Sequence, residues 1–486
     1  MTTHNADNER IKRHNGHAGA GGADRGPGAA CHRPDASRQC HRAPRPVMRW
    51  KSRRVGLIGS IILLLALAGC ATELRVMMAT PTLYLTPERD VYADLAAPLK
   101  QTEVRLSYIT DRKPETDENG KLRYGSGRSL SVGFGTAVVD LGTEISWAEL
   151  LTASRTRHRL DPVQLELRDV TEIVRGPDTP VPYTLVDGKI VLAPAWFEKL
   201  KASSEMFRQN LVRQLDLTPR KEVFLYIHGY NNSFDDAAFG MAELWHFLGR
   251  IGVPMIYTWP AGYPGLFGYT YDRESSEFTI YHLREVLSLM SSFPEVEKIH
   301  LIAHSRGTDV AVAALRELTI EARAAGVDPK KRFKIHNLVL AAPDLDVDVA
   351  VQRMGGDWLA ESVHRWTIYT SKADKAIGYA STLFASPRGR VGSFRPQDAP
   401  DILKAWVKIT TANFSVVDFS GEGAFLDGYV HSYFRDAPSV SSDLVLMLRD
   451  DLDAGSPGRP LEHLGEKFWR VPPGYPRARP AQSGQR

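Results

Sequence analysis

The sequence predicts an α/β fold: a mostly parallel sheet with helices on both faces and antiparallel strands at its N-terminal edge. Two observations carry this. Apolar runs recur as VFLYI (223–227), MIYTW (255–259), IHLIA (299–303), NLVLAA (337–342), WTIYT (366–370) and FSVVDF (414–419). Between most of them lie segments with helical spacing, such as Phe239, Leu244, Phe247 and Leu248. Strands that are apolar throughout and alternate with helices belong to a parallel sheet covered on both sides.

The elements follow in order. Residues 1–47 are rich in Gly, Ala, Arg, Pro and His, a composition that reads as a disordered leader or as residues before the true start at Met48. Met48 opens MRWKSRRVGLIGSIILLLALAGCATE, a basic n-region followed by an apolar stretch of signal-peptide length over 48–70. That stretch is short for a membrane span. Leu67-Ala68-Gly69-Cys70 resembles the lipobox of bacterial lipoproteins, which implies lipidation at Cys70 and an envelope location. Ala71 and Thr72 lack the aspartate that commonly retains such proteins in the inner membrane, so that resemblance favours the outer one. With Cys31 and Cys40 removed and Cys70 lipidated, no disulfide remains to support the fold.

Charge agrees with this division. Residues 1–70 hold 12 Lys and Arg against 4 Asp and Glu, leaving 49 basic and 53 acidic side chains of the chain's 61 and 57. The body is mildly acidic, and no nucleic-acid partner is expected. Residues 71–102, with Pro81, Pro87 and Pro98, read as a tether. A domain over 103–452 then opens with strands at 103–109, 130–139 and 163–174, separated by Gly-, Asp- and Pro-containing loops. A charged helix is expected from about 195 to 215. After 452 a tail rich in Pro, Gly and Arg runs to 486, with Phe468 and Trp469 available to pack back.

The chemistry centres on Ala303-His304-Ser305-Arg306-Gly307, where IHLIAH ends and a helix begins. A small residue on either side of x-Ser-x permits a tight strand-to-helix turn that exposes the serine hydroxyl. The pattern alone is weak, because Ala454-Gly455-Ser456-Pro457-Gly458 matches it inside the tail without a strand or helix beside it. Upstream, VFLYI ends in His228-Gly229-Tyr230, placing the Tyr230 N–H, with that of Arg306, as candidate oxyanion donors. His228 reads as a buried imidazole bracing that turn. Downstream, Asp374 follows WTIYT and His431 follows FSVVDF. A serine hydroxyl needs an imidazole to take its proton and a carboxylate to orient that imidazole. Asp344 and Asp346, after the preceding strand, are alternative acids; His364, His282 and His300 are weaker bases by position. The aromatic segment 257–277 suits an acyl-pocket wall, a lid or a plain covering loop, and Asp272, Arg273 and Glu274 read as an ion-pair cluster. No zinc-type or phosphate-loop spacing occurs, so no metal or cofactor is expected.

HGYNN, AHSRG, APDLD, the post-strand Asp374 and HSYFRD, in this order, resemble the bacterial esterase/lipase-like proteins catalogued as α/β-hydrolases of unknown function. The resemblance covers about residues 103–450. It implies a serine hydrolase fold with Ser305, Asp374 and His431 as triad. The triad chemistry leads us to expect a small-molecule or lipid acyl ester as substrate. Ala303 stands where glycine is commoner in the wider superfamily. An acyltransferase using the same acyl-enzyme, or a non-catalytic lipoprotein reusing the fold, would carry the same text.

Overall fold

The computed structural model describes residues 75–85, 89–265, 267–384, 386–393, 401–410, 413–420 and 431–476. The leader, the signal segment with Cys70 and residues 477–486 lie outside them. Among the described residues eleven strands form one sheet. In chain order they are β1 (Glu103–Thr116), β2 (Leu122–Asp140), β3 (Glu166–Arg175), β6 (Glu222–Ile227), β7 (Val253–Thr258), β8 (Lys298–His304), β9 (Ile335–Ala341), β10 (Arg365–Thr370), β11 (Phe414–Asp418), β12 (Glu462–Gly465) and β13 (Phe468–Arg470). β4 (Tyr183–Val186) and β5 (Lys189–Leu192) pair only with each other. The sheet order is β12-β13-β11-β10-β9-β8-β6-β7-β1-β2-β3.

All neighbours from β1 through β7, β6, β8, β9, β10 and β11 to β13 are parallel. Among the described strands of this sheet, antiparallel pairs occur only at the rims, β1–β2–β3 on one side and β12–β13 on the other. β6, β7, β10 and β11 are buried at every residue, the signature of a strand covered on both faces. Two apolar layers sandwich the sheet. One gathers Leu225, Met255, Leu301 and Leu338 with the helices Gly268–Ser292 and Gly307–Ala324. The other gathers Phe224, Ile256, Ile302 and Val339 with Phe234–Phe247 and Pro438–Leu448. Alternate residues of each strand thus feed opposite layers.

Four expectations change. The segment read as a tether is part of the body over its described residues: Met77, Met78, Tyr84 and Tyr92 are buried, and Val76 bridges Gln164. Prolines spaced through 81–98 suggested a linker, but the apolar residues among them cover the helix Phe234–Phe247. The tail likewise returns: β13 pairs parallel with β11, and Tyr475 is wholly buried. β1 and β2 run well beyond the expected strands, because polar Asp111 and Arg112 point inward to partners rather than into a loop. The segment 257–277 is no separate lid. Tyr257 ends β7, Trp259 and Ala261 are buried, and residues from Gly268 onward form the first turns of a helix.

Candidate active site

β6, β8, β10 and β11 point the same way, and chain order reverses on either side of β6, where an α/β sheet opens a crevice beyond its strand ends. The residues that follow those ends are His228–Asn232, Ser305, Asp374 and His431. β8 stops at His304 and the next helix starts at Gly307, so Ser305 makes the turn. Its φ is +52°, a left-handed conformation that costs a side-chain-bearing residue roughly 1–2 kcal/mol. Its N–H donates to Ala341 O at 2.9 Å, and its carbonyl accepts from the Thr308 hydroxyl at 2.7 Å and the Asp344 N–H at 3.3 Å. Two glycines make room. A Cβ at Gly307 would lie 2.4 Å from His228 O, and one at Gly229 would lie 2.7 Å from Ser305 Cβ. Helix, turn and β6 therefore close on the serine only with hydrogen at both positions.

Among the described residues neither Tyr230 nor Arg306 donates its backbone N–H to another protein group. The Tyr230 turn is held from behind. Buried Asp272 accepts from Asn231 N–H at 3.0 Å, from Gly262 N–H at 3.0 Å and from Tyr263 N–H at 3.3 Å. Buried Arg112 donates to Asn232 O at 2.8 Å, Ala261 O at 2.9 Å and Thr258 Oγ1 at 2.9 Å. Burial lowers its pKa to about 10, so it stays charged at neutral pH. Trp259 N–H donates to His228 Nε2 at 3.1 Å, leaving the His228 proton on Nδ1, 2.9 Å from Gly229 O. Burial, then the Arg112 charge, holds that imidazole well below its ordinary value. His228 is a neutral brace stacked on Trp259, with ring centroids 5.1 Å apart.

His431 Nδ1 and Asp374 Oδ2 are 2.9 Å apart. Asp374 is buried, and its Oδ1 accepts the Ile377 N–H at 3.0 Å as the cap of the helix Lys375–Leu383. A carboxylate fixed at both oxygens sets one imidazole tautomer: Nδ1 donates to Asp374 and Nε2 is left as the acceptor. His304, adjacent to the serine, donates its Nε2–H to His431 O at 3.0 Å and lies against the His431 and Phe434 rings, each 4.8 Å away between centroids. Burial first, and neighbouring His431 second, lower His304 to about 3, so it is neutral. Among the described residues the His431 ring bonds Asp374 and not the Ser305 hydroxyl, a contact that commonly tightens only with substrate in place.

The alternative acids are engaged elsewhere. Asp344 lies 2.6 Å from the Arg390 guanidinium and accepts the Tyr269 hydroxyl at 2.9 Å. Asp346 caps the helix Val347–Val351. Of the other histidines, His282 bonds Asp111, His300 bonds Glu222, and His364 stacks on His336. Asp272, Arg273 and Glu274 form no ion pair with one another; Asp272 serves backbone amides instead, because the helix Gly268–Ser292 turns it inward while Arg273 and Glu274 face solvent. Beside the serine, a charged cleft of about 270 Å³ is lined by Arg306, Asp344, Tyr269, Arg273, Phe384 and Arg390. Among the described residues no group of three or more His, Cys, Asp and Glu is placed to hold a metal ion.

Sequence reasoning missed Arg112, Asp272 and His304 as parts of this site. Arg112 and Asp272 reach it only through long-range packing. His304 was visible inside AHSRG, but its partner is a backbone carbonyl that leaves no trace in the text.

Residues 203–449 match the model of a family described as alpha/beta hydrolase of unknown function (DUF900). A search of curated proteins returns no match to the chain.

Proposed function

We propose, from the premise that this chain belongs to the alpha/beta hydrolases of unknown function, that it is a serine esterase working through an acyl-enzyme. The observation that carries the reading is the 2.9 Å Asp374–His431 contact, whose imidazole lies against His304, the residue before a serine strained at φ +52°. Ser305 Oγ attacks the acyl carbonyl while His431 Nε2 takes its proton. Asp374 stabilises the imidazolium and keeps the tautomer that made Nε2 an acceptor. The Tyr230 and Arg306 N–H groups, free of protein partners, receive the oxyanion. The proton then passes to the departing alcohol, and water attacks the acyl-enzyme by the same route in reverse.

A fluorophosphonate probe should label the protein and leave Ser305→Ala unlabelled. Equal labelling of both would remove the esterase reading and favour a binding protein built on the same fold. We further propose that the enzyme acts from the outer membrane of the bacterial envelope, anchored through lipid on Cys70; the support is the text of residues 48–72. Cells fed labelled palmitate should transfer label to the protein and not to Cys70→Ser.

A further inference from the structure

A second cavity, of about 300 Å³, shares no lining residue with the cleft beside Ser305 and opens between the helices Pro194–Leu215 and Gly268–Ser292, the strand β2 and the segment that follows β3. Phe134, Trp196, Leu200, Val286 and Leu289 make its wall apolar. Two polar groups in that wall belong to a chain of hydrogen bonds. His282 Nδ1 lies 3.1 Å from Asp111 Oδ2, and His282 Nε2 lies 2.9 Å from the Thr179 hydroxyl. Asp111 is wholly buried; the same oxygen also accepts from Thr279 at 2.8 Å and Tyr257 at 3.2 Å. Asp111 thus holds the His282 proton on Nδ1 and presents Nε2 as an acceptor at the cavity wall. The Thr179 hydroxyl has a single proton and a second acceptor, Leu130 O, 2.9 Å away. When that proton serves Leu130, His282 Nε2 is left facing an oxygen lone pair and lacks a donor.

We propose that this cavity binds an uncharged, chain-like molecule that ends in a hydroxyl. An apolar wall with a few convergent polar groups is what fixes a small amphiphile in place. The hydroxyl donates to His282 Nε2. A carboxylate head would instead face the buried Asp111 carboxylate, with no cation in the wall to offset it.

Octan-1-ol and octanoate, titrated calorimetrically at pH 8 into the full chain carrying Ser305→Ala, separate this site from the active site. Octan-1-ol should bind at least about ten-fold tighter than octanoate, a difference of about 1.4 kcal/mol. Gly176→Leu, at a wall position where a Cβ meets nothing closer than 3.5 Å, should fill the space and abolish binding. His282→Phe should erase the preference for the alcohol; should it not fold, Gly176→Leu still decides. Absence of binding to the folded Ser305→Ala protein, binding unmoved by Gly176→Leu, or equal affinity for the two ligands would overturn the proposal. None of these outcomes bears on probe labelling at Ser305.

Discussion

At the scale of single residues, the site depends on imidazoles kept neutral by burial. His304 takes up a proton near 6.5 when unfolded and only at about 3 when folded. Between those values the unfolded chain binds the extra proton, so stability present above pH 6.5 drains away as pH falls toward 3. The loss is about 1.4 kcal/mol per unit and reaches about 2 kcal/mol by pH 5. His228 adds to the same trend, its pKa also being depressed by burial. His304→Gln keeps an N–H for His431 O but removes the titration. Its urea-melt stability should fall less between pH 7.5 and 5, by about that 2 kcal/mol. An unchanged slope would show that His304 is not the group being titrated.

Among the elements, the helix Gly307–Ala324 offers an internal comparison. It begins at a glycine with no room and ends beside one with ample room. Gly307→Ala must push against two backbone carbonyls, His228 O and Ile227 O, at 2.4 and 2.7 Å. We expect about 1–3 kcal/mol of destabilisation and a turnover loss of two orders of magnitude or more, since the shift falls on the turn proposed to receive the oxyanion. Gly326, at φ +69°, lies beyond the far end, where Val327 N–H bonds Ala322 O and a Cβ meets nothing within 4 Å. Gly326→Ala should cost about 1 kcal/mol in a thermal melt and leave turnover unchanged. Similar activity losses in the two variants would contradict the wedge at Gly307.

What could be read from the text divides along the same lines. β6, β8, β10 and β11 were legible because each is an unbroken apolar run, and the candidate residues were legible because each follows such a run. The second half of β1 was not, since DRKPET looks like a loop until Asp111 and Arg112 find buried partners. The β4–β5 hairpin did carry a signal that went unused: Asp187-Gly188, both at positive φ, is the turn that matches strand twist. β13 is three residues long, too short for any periodicity to register.

For the molecule as a whole, the C-terminal residues are structural. Deleting 454–486 removes β12, β13 and Trp469, whose ring a Cβ at Gly455 would strike at 2.3 Å. It bares the edge of β11, whose residues are all buried, as an open row of backbone donors and acceptors. The truncated chain should elute as soluble aggregates where the full chain elutes at one defined size; an unchanged profile would show that β11 tolerates an open edge. The opposite rim of the sheet has another consequence. The β4–β5 hairpin leaves all eight of its residues exposed, so its short ladder is nearly all that orders it. An endoprotease would cut there first. The two pieces would stay together afterwards, since β1 on the first is stitched along β7 on the second, and a nicked molecule would keep its shape while losing its continuity.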